Sequence, residues 1–360
     1  MPSLPEPAVR ASAHPARFFE REEDGRLRCT LCPRECLLAD GQAGFCFVRE
    51  NQGGEMVLLA YGKSTGFAVD PIEKKPLYHF FPGTDVLSFG TVGCNLGCRF
   101  CQNWNISKSR DPGPSMVSLA PEDVVALAES SRAPSIAFTY NDPVIWAEWA
   151  IDVARVARRR GVRTVFVTAG YVEARAREEI FACMDAVNVD LKSFTEDFYA
   201  RVTLSHLTPV LETLEWLARE GRTWTEVTNL LIPGLNDDPR EIRRMAEWIG
   251  ANMGPDVPLH FSAFHPTWKM TDRPPTPPRT LVEARRIARE VGLHHVYTGN
   301  VHDPAGQATT CPGCSETVVE RNRNSVLRNR LGPGGACPVC GKRIAGRFEG
   351  EGATTRRTAR

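Results

Sequence analysis

Long hydrophobic runs are missing from this sequence: no apolar stretch approaches the roughly 20 residues that a membrane-spanning helix needs. The start, MPSLPEPAVRASAHPARFFEREEDG, also lacks the apolar centre of a secretory signal peptide, so we expect a cytoplasmic protein without a membrane partner. Neither sign of charge is in excess, because 44 Lys and Arg residues oppose 43 Asp and Glu residues. No whole-molecule field would therefore steer the chain onto nucleic acid or an acidic membrane. With 360 residues, 42% of them hydrophobic, it is long enough to bury a full core.

Cysteine, in contrast, is abundant and clustered. Of 12 cysteines, only Cys183 has no cysteine neighbour within metal-ligand spacing. A disulfide framework is typical of small secreted domains and does not suit a long, cytoplasmic chain. Thiolates two to four residues apart converge on a soft metal centre, whereas cysteines so close together form strained disulfides. The spacing therefore predicts metal or cluster ligation.

Between residues 85 and 300, short β-branched or aromatic runs alternate with longer amphipathic runs, a pattern typical of βα units around a parallel sheet. Strands are predicted at Asp85–Thr91, Ser135–Tyr140, Arg163–Thr168, Asp185–Leu191, Thr223–Leu231 and Leu259–Phe264. Helices are predicted at Pro121–Arg132, Pro143–Arg160, Val172–Cys183, Thr208–Glu220, Pro239–Met253 and Arg279–Val291. These six units are fewer than the eight of a closed barrel, so the predicted fold is α/β, an open, partial (β/α)6 barrel.

The flanks of this core suggest smaller modules. We expect a disordered tail at 1–25, a four-cysteine metal module at 26–84, the barrel core at 85–302, a zinc-ribbon or rubredoxin-like module at 303–350 and a disordered tail at 351–360.

One group of cysteines directly follows the first predicted strand. Cys94, Cys98 and Cys101 have the spacing C-x3-C-x2-C. Three ligands are too few for a closed site, but a four-iron cluster held by three thiolates leaves one iron free for a non-protein ligand. The alternative is a zinc knuckle with a distant fourth ligand.

The segment around these cysteines resembles the radical S-adenosylmethionine (radical SAM) superfamily, whose signature is C-x3-C-x-aromatic-C after the first strand of a partial barrel. The aromatic residue here is Phe100. The resemblance implies a [4Fe-4S] cluster on Cys94, Cys98 and Cys101 whose open iron takes the amino and carboxylate groups of SAM. Reductive cleavage of SAM then yields a 5′-deoxyadenosyl radical that abstracts hydrogen from a substrate.

Residues 85–300 look most like the branch containing the glycyl-radical-enzyme activases, and the resemblance implies SAM contacts in this chain. Asn141 and Asp142 lie in a TYNDP segment that resembles the branch's TYNEP loop, which helps hold the SAM amino group. Asp142 replaces the usual Glu and is one methylene shorter. Ala169 stands where related sequences often have Asn, so it offers the nucleoside no side-chain amide.

Two further motifs of the branch recur. Asp190 and Lys192 lie in its D-L-K motif, which implies that Lys192 meets the SAM carboxylate while Asp190 orders neighbouring polar groups. An ordinary ion pair at a strand end is the alternative for these two. His265 falls where the branch places a histidine on the SAM side, and a buried structural histidine is the alternative.

Both flanks carry four cysteines. The N-terminal set can close a zinc site or hold an auxiliary Fe-S cluster suited to electron entry. The C-terminal set has the spacing C-x2-C-x22-C-x2-C, which favours Zn²⁺ over a rubredoxin-like iron. The N-terminal ligands are Cys29, Cys32, Cys36 and Cys46, and the C-terminal ligands are Cys311, Cys314, Cys337 and Cys340.

Together, these modules make residues 27–348 resemble the AmmeMemoRadiSam system radical SAM enzymes, a family associated with AMMECR1-like and Memo-like proteins. The resemblance implies an oxidoreductase or activase-like enzyme that receives electrons from a donor such as flavodoxin or ferredoxin and modifies a macromolecular substrate. A glycyl-radical-enzyme activase is the alternative within enzymes. A non-catalytic metal-binding scaffold is the alternative from another class.

Overall fold

The structure is a computed structural model that describes residues 14–110 and 116–348. Its centre is an eight-stranded sheet whose strands are rich in β-branched and aromatic residues, the side chains that suit a pleated, buried surface. The strands are Phe67–Pro71, Asp85–Phe89, Ser135–Phe138, Arg163–Thr168, Ala186–Asp190, Trp224–Leu231, Leu259–Ala263 and Val296–Gly299. The last seven are parallel and adjacent in chain order. The expected α/β, mostly parallel architecture is confirmed.

The strand count corrects the sequence prediction in two places. Val296–Gly299 is a seventh parallel strand, beside Leu259–Ala263. It has only four residues and ends in glycine, so the sequence signal was weak. Phe67–Pro71 pairs antiparallel with Asp85–Phe89, although the sequence prediction places these residues in the N-terminal module at 26–84. Because the two outer strands of the sheet do not pair with each other, the barrel is open.

Helices cover the sheet. The six long ones are Pro121–Ser130, Ala147–Arg159, Ala174–Phe181, Thr208–Glu220, Pro239–Met253 and Pro278–Glu290. Three begin with proline, which suits a first helical position because the missing N–H has no partner there. The short ones are Trp104–Ser107, Glu196–Phe198 and Pro304–Gln307, with 3₁₀ turns at Ile72–Lys74, Pro143–Trp146 and Pro333–Gly335 and a π-turn at Tyr199–Thr203. The predicted helix from Pro143 is thus a 3₁₀ turn followed by an α-helix.

Small antiparallel sheets form the N-terminal module. One contains His14–Pro15, Arg49–Gln52 and Glu55–Leu58; another contains Phe19–Arg21, Leu27–Cys29 and Leu37–Leu38; Lys63–Ser64 pairs with Val117–Ser118. Within the expected disordered tail at 1–25, His14–Pro15 and Phe19–Arg21 instead pair with strands of this module. The predicted tails at residues 1–13 and 351–360 lie outside the described residues.

The C-terminal module is a three-stranded sheet of Thr309–Thr310, Thr317–Asn322 and Ser325–Asn329. It packs against the amino ends of the barrel strands, where the guanidinium of Arg321 donates to the Tyr78 carbonyl (2.8 Å) and Arg347 lies over the ring of Trp224. The cysteine loop at residue 94 follows the carboxyl end of its strand. The C-terminal module and this loop therefore lie at opposite ends of the sheet.

No helix among the described residues combines the length and the apolar character that crossing a membrane would need.

Candidate functional site

The loop that carries Cys94, Cys98 and Cys101 is held by backbone hydrogen bonds. The Gly93 amide donates to Ile106 (3.0 Å), and the Gly97 amide donates to Thr203 (2.7 Å). The second contact ties the loop to the π-turn that follows the Asp190-Leu191-Lys192 segment. Local hydrogen bonding thus places all three thiols on one loop at the carboxyl end of the sheet, where catalytic groups of parallel (β/α) folds gather.

Two glycines allow this loop to lie close to its neighbours. Gly93 has φ +82°, and a Cβ there would lie 2.0 Å from the Cys46 carbonyl oxygen. A Cβ on Gly97 would lie 2.6 Å from the side chain of Leu204. The first contact is with backbone, which cannot rotate away, so only glycine fits at position 93.

The three thiols face one cavity of about 430 Å³. They do not form a compact site for a single ion, because their three sulfurs do not all lie within 4.8 Å of one another. Burial raises the pKa of Cys98 to about 12, and the nearby Lys192 ammonium opposes this shift. Three soft thiolates spread around a cavity fit a polynuclear cluster, in which each binds a different iron.

The predicted SAM contact Asn141 is buried, and its side chain bonds mainly to backbone, with one further hydrogen bond from the Trp146 indole (3.3 Å). Its amide nitrogen donates to the carbonyls of Gly93 (2.9 Å) and Val92 (3.3 Å), and its oxygen accepts from the Thr91 amide (3.2 Å). In this structure the Asn141 side chain positions the backbone that leads directly into Cys94.

Asp142 is also buried, and its carboxylate lines the cavity beside Cys94. It accepts hydrogen bonds from the Thr168 hydroxyl (2.9 Å), the Ala169 amide (3.0 Å) and the Val144 amide (3.1 Å). Burial nevertheless raises its pKa. Ala169 therefore contributes through its backbone, and the short carboxylate is held in place by three donors.

Lys192 and Asp190 form an ion pair at the end of their strand, and both line the cavity. Burial acts to lower the pKa of Lys192, but the Asp190 carboxylate outweighs this effect and the pKa is raised. The amide of Asn236 donates to the Lys192 carbonyl (2.7 Å) and fixes the backbone there. The Lys192–Asp190 ion pair and the Asp142 carboxylate therefore line the same cavity.

Of the two remaining predicted residues, Phe100 lines the cavity and His265 does not. Phe100 is buried, lines the cavity and packs against Phe198, with ring centroids 6.1 Å apart. His265 is exposed and is not part of the cavity wall, so the structure does not bring it to the thiols and it is not a buried structural histidine.

Several wall residues carry no motif that sequence reasoning could have used. Lys75 is buried, with its ammonium 2.8 Å from Asp70 and 5.0 Å from the centre of the Tyr140 ring. Thr228 also lines the cavity, and its buried hydroxyl has no hydrogen-bond partner. A buried hydroxyl without a partner is costly unless a ligand engages it, which supports the cavity as a binding site for a polar molecule.

The C-terminal cysteines form a compact group, with four sulfurs within 4.8 Å of one another. Cys311 and Cys340 are 3.6 Å apart, and Cys314 and Cys337 are 3.7 Å apart. Tetrahedral thiolates at a metal–sulfur distance of about 2.3 Å are separated by roughly 3.8 Å, so these residues fit a single metal ion.

The N-terminal cysteines also come together but are arranged differently. Cys29, Cys32 and Cys46 are buried and Cys36 is partly exposed, and all four line one pocket. Unlike the C-terminal sulfurs, no three of these four sulfurs lie within 4.8 Å of one another.

Comparisons with known proteins show what this chain is similar to. A model of the radical SAM superfamily matches residues 89–249. The uncharacterized protein MJ0808 of Methanocaldococcus jannaschii is 41% identical over 331 residues, which cover 91% of this chain and 98% of that protein. The pyruvate formate-lyase-activating enzyme of Clostridium pasteurianum is 24% identical over 44% of this chain and 66% of that protein.

Solved structures include similar chains. A radical SAM methyltransferase from Sphaerobacter thermophilus matches with a TM-score of 0.49 and 15% identity, over 62% of this chain and 68% of that one. Residues 89–249 therefore match the radical SAM superfamily, whose members bind a [4Fe-4S] cluster and S-adenosylmethionine.

Proposed function

We propose that this protein is an enzyme that holds a [4Fe-4S] cluster on Cys94, Cys98 and Cys101, binds SAM in the adjoining cavity and modifies a macromolecular substrate. The bound cluster and SAM together supply a 5′-deoxyadenosyl radical. The observation that carries the proposal is the convergence of three thiols from one loop on a cavity of about 430 Å³ whose wall bears both a carboxylate and an ammonium.

The charged walls suit the amino-acid end of SAM. The Asp142 carboxylate, beside Cys94, would accept from the SAM ammonium, and Lys192 would pair with the SAM carboxylate. Asn141 would act indirectly, because its amide holds the carbonyls of Val92 and Gly93. His265 stays a predicted contact, and its exposure means that a loop movement would have to bring it to SAM.

A large substrate is supported by the loop 139–142, which lines the cavity and is short. Within this proposal the chain is an AmmeMemoRadiSam system enzyme, its partners are AMMECR1-like and Memo-like proteins, and flavodoxin or ferredoxin provides electrons. A cytoplasmic location is supported by the many thiols, which need a reducing compartment. We further assign Zn²⁺ to the C-terminal cysteines.

A second candidate function is activation of a glycyl-radical enzyme. It is supported by the 24% identity to the activating enzyme of Clostridium pasteurianum, which covers 44% of this chain. In that case the substrate is a glycine backbone of a dedicated partner, and the same thiols and cavity serve the reaction.

The test is anaerobic reconstitution of the full chain with iron and sulfide, followed by reduction and measurement of 5′-deoxyadenosine. We expect Cys98→Ala to abolish 5′-deoxyadenosine formation, because three thiolates share one cluster and the loss of one releases it. Cys183→Ala, a substitution outside the three thiol groups, should leave it intact. If the reconstituted wild-type protein binds iron but makes no 5′-deoxyadenosine, the scaffold alternative is favoured. An unchanged rate in Cys98→Ala would contradict the proposal.

A further inference from the structure

The four N-terminal cysteines form a second thiol site with its own backbone scaffold. The Cys29 amide donates to the Cys36 carbonyl (2.9 Å), which brings the two ends of the C-x2-C-x3-C segment together. Gly44 lies so close to Cys36 that an added Cβ would be 3.5 Å from its sulfur. Cys46 follows on the same return turn, so all four thiols line one pocket.

Their spacing differs from that of the ribbon thiols. Among the residues that the structure describes, only Cys311, Cys314, Cys337 and Cys340 bring three or more ligand atoms within 4.8 Å of one another. A single tetrahedral ion needs that compactness, because its ligands share one metal atom. In a four-iron cluster, each thiolate binds a different iron, so the sulfurs stand further apart. The wider N-terminal set therefore favours a cluster over Zn²⁺.

A buried arginine adds an independent observation. Arg49 lines the pocket and is only 1% exposed. Its two terminal nitrogens bind Glu148, at 2.9 and 3.0 Å, but its Nε is buried without a partner. N–H donors to cluster sulfurs are one of the means by which proteins set cluster potentials. A cluster in this pocket would give the Nε–H a sulfur acceptor.

The second site shares a wall with the first. The Cys46 carbonyl lies against Gly93, where a Cβ would come within 2.0 Å, and Gly93 is followed directly by Cys94. Asn95, on the other side of Cys94, lines the N-terminal pocket itself. Arg34, which also lines that pocket, donates to the Asn95 carbonyl. The segments that carry the two sets of thiols are therefore in direct contact.

We propose that Cys29, Cys32, Cys36 and Cys46 hold a second four-iron cluster that relays electrons to the site at Cys94, Cys98 and Cys101; the relay role, but not the second cluster, rests on the proposed function. A reduced flavodoxin or ferredoxin loses one electron to the second cluster. The second cluster passes that electron to the first site and returns to its oxidised state. No bond is made or broken and no proton moves in this transfer.

The first experiment counts metal in the anaerobically reconstituted full chain. The proposal predicts about eight irons and one zinc per chain, whereas a zinc site at the N-terminal cysteines predicts about four irons and two zincs. Cys36→Ala, at the least buried of the four thiols, should bind about four irons, and Cys183→Ala should match the wild type. A wild-type chain with two zincs would overturn the proposal.

A variant with all three of Cys94, Cys98 and Cys101 replaced by alanine separates this proposal from the proposed function, since it retains the N-terminal ligands. We expect about four irons and, after reduction, an electron paramagnetic resonance signal that does not change when SAM is added. This result would support the second cluster even if the wild-type protein never cleaved SAM. Absence of iron from this variant, with its fold intact by circular dichroism, would contradict the second cluster.

The relay is tested by comparing two reductants. Dithionite is small and reduces exposed clusters directly, whereas flavodoxin must dock. The ratio of flavodoxin-driven to dithionite-driven 5′-deoxyadenosine formation should fall at least about tenfold in Cys36→Ala relative to wild type. An unchanged ratio in a variant that has lost about four irons would overturn the relay.

Discussion

Buried polar side chains do much of the positioning around the cysteine loop. The Asn141 amide holds the backbone at residues 91–93, and Asp142 accepts from three donors while facing the cavity. Such groups cannot be lost cheaply, because an orphaned partner in the interior loses its hydrogen bond without regaining water. Their roles are therefore structural as well as electrostatic.

Gly93→Ala is expected to damage both thiol sites. The substitution adds a Cβ 2.0 Å from the Cys46 carbonyl and places alanine at φ +82°. We expect a loss of more than about 3 kcal/mol in the free energy of unfolding, together with reduced iron binding. The matched control is Gly161→Ala, at φ +71° with nothing within 4 Å, which should cost only roughly 1–2 kcal/mol. Equal losses in urea unfolding would contradict the proposed close contact.

Glu73 is expected to make stability depend on pH. Burial raises its pKa from 4.5 to about 7, although Arg321 lies 3.6 Å away and opposes the shift. Between about pH 4.5 and 7 the folded chain keeps this proton while the unfolded chain has lost it, so stability falls as pH rises. In Glu73→Gln this fall should be about 3 kcal/mol smaller. The measurement is the free energy of unfolding of both proteins at pH 4.5 and at pH 7.

The control for this pH effect is Glu290→Gln, at an exposed carboxyl on a surface helix. It should leave the pH dependence of the wild type unchanged. If the stability of the wild type and of Glu73→Gln changed with pH in the same way, Glu73 would not titrate in this range.

The C-terminal module, called the ribbon here, lies far from the cysteine loop that carries Cys94. It packs at the amino ends of the strands, where Arg321 bonds Tyr78 and lies near Glu73. Removing the whole ribbon would leave Glu73 without its cation. A single ligand substitution is therefore a more selective test than truncation.

Cys314→Ala should release one metal ion per chain without lowering iron binding at the cysteine loop. Cys314 is exposed, so its loss opens the ribbon site without a cavity in the barrel. Three remaining thiolates hold an ion more weakly than a complete tetrahedral set. Metal analysis by mass spectrometry checks this, with Cys183→Ala as the variant that should lose neither metal. Loss of iron together with zinc would mean that the ribbon supports the cysteine loop.

At the scale of the whole molecule, one buried ion pair clamps the N-terminal module to the barrel. Arg49 and Glu148, with side chains 2% and 3% exposed, come from the module and from the helix Ala147–Arg159. Glu148 also accepts from the Arg17 amide (2.8 Å). The Arg49 charge outweighs the effect of burial on this carboxyl and holds its pKa below the ordinary value.

Glu148→Gln is expected to cost about 3–5 kcal/mol, because it leaves a buried arginine without its counter-charge. The same change at Glu129, whose pair with Arg160 is 37% and 42% exposed, should cost less than about 1 kcal/mol. Chemical unfolding of the two variants gives the comparison. Similar losses of unfolding free energy in the two variants would indicate that the Arg49–Glu148 pair contributes no more than a surface ion pair.

The sequence alone determined what depends on neighbours along the chain. The spacing of Cys94, Cys98 and Cys101 puts three thiols on one loop, and the alternation of strand and helix patterns predicts a parallel sheet, because both signals lie within short segments. Metal binding and SAM contacts stay predictions. The short, glycine-ended strand Val296–Gly299 was not predicted from the sequence, because strand formation there depends on pairing with Leu259–Ala263.

Only the tertiary structure decided how distant segments meet. It placed the Cys46 carbonyl against Gly93, paired Arg49 with Glu148, moved Phe67–Pro71 into the barrel sheet and set the ribbon at the end opposite the cysteine loop. It also showed that the two four-cysteine sets, which look alike as spacings, differ in compactness. These features are contacts between residues far apart in the chain, which depend on packing of the whole core and leave no periodicity or motif in the local sequence.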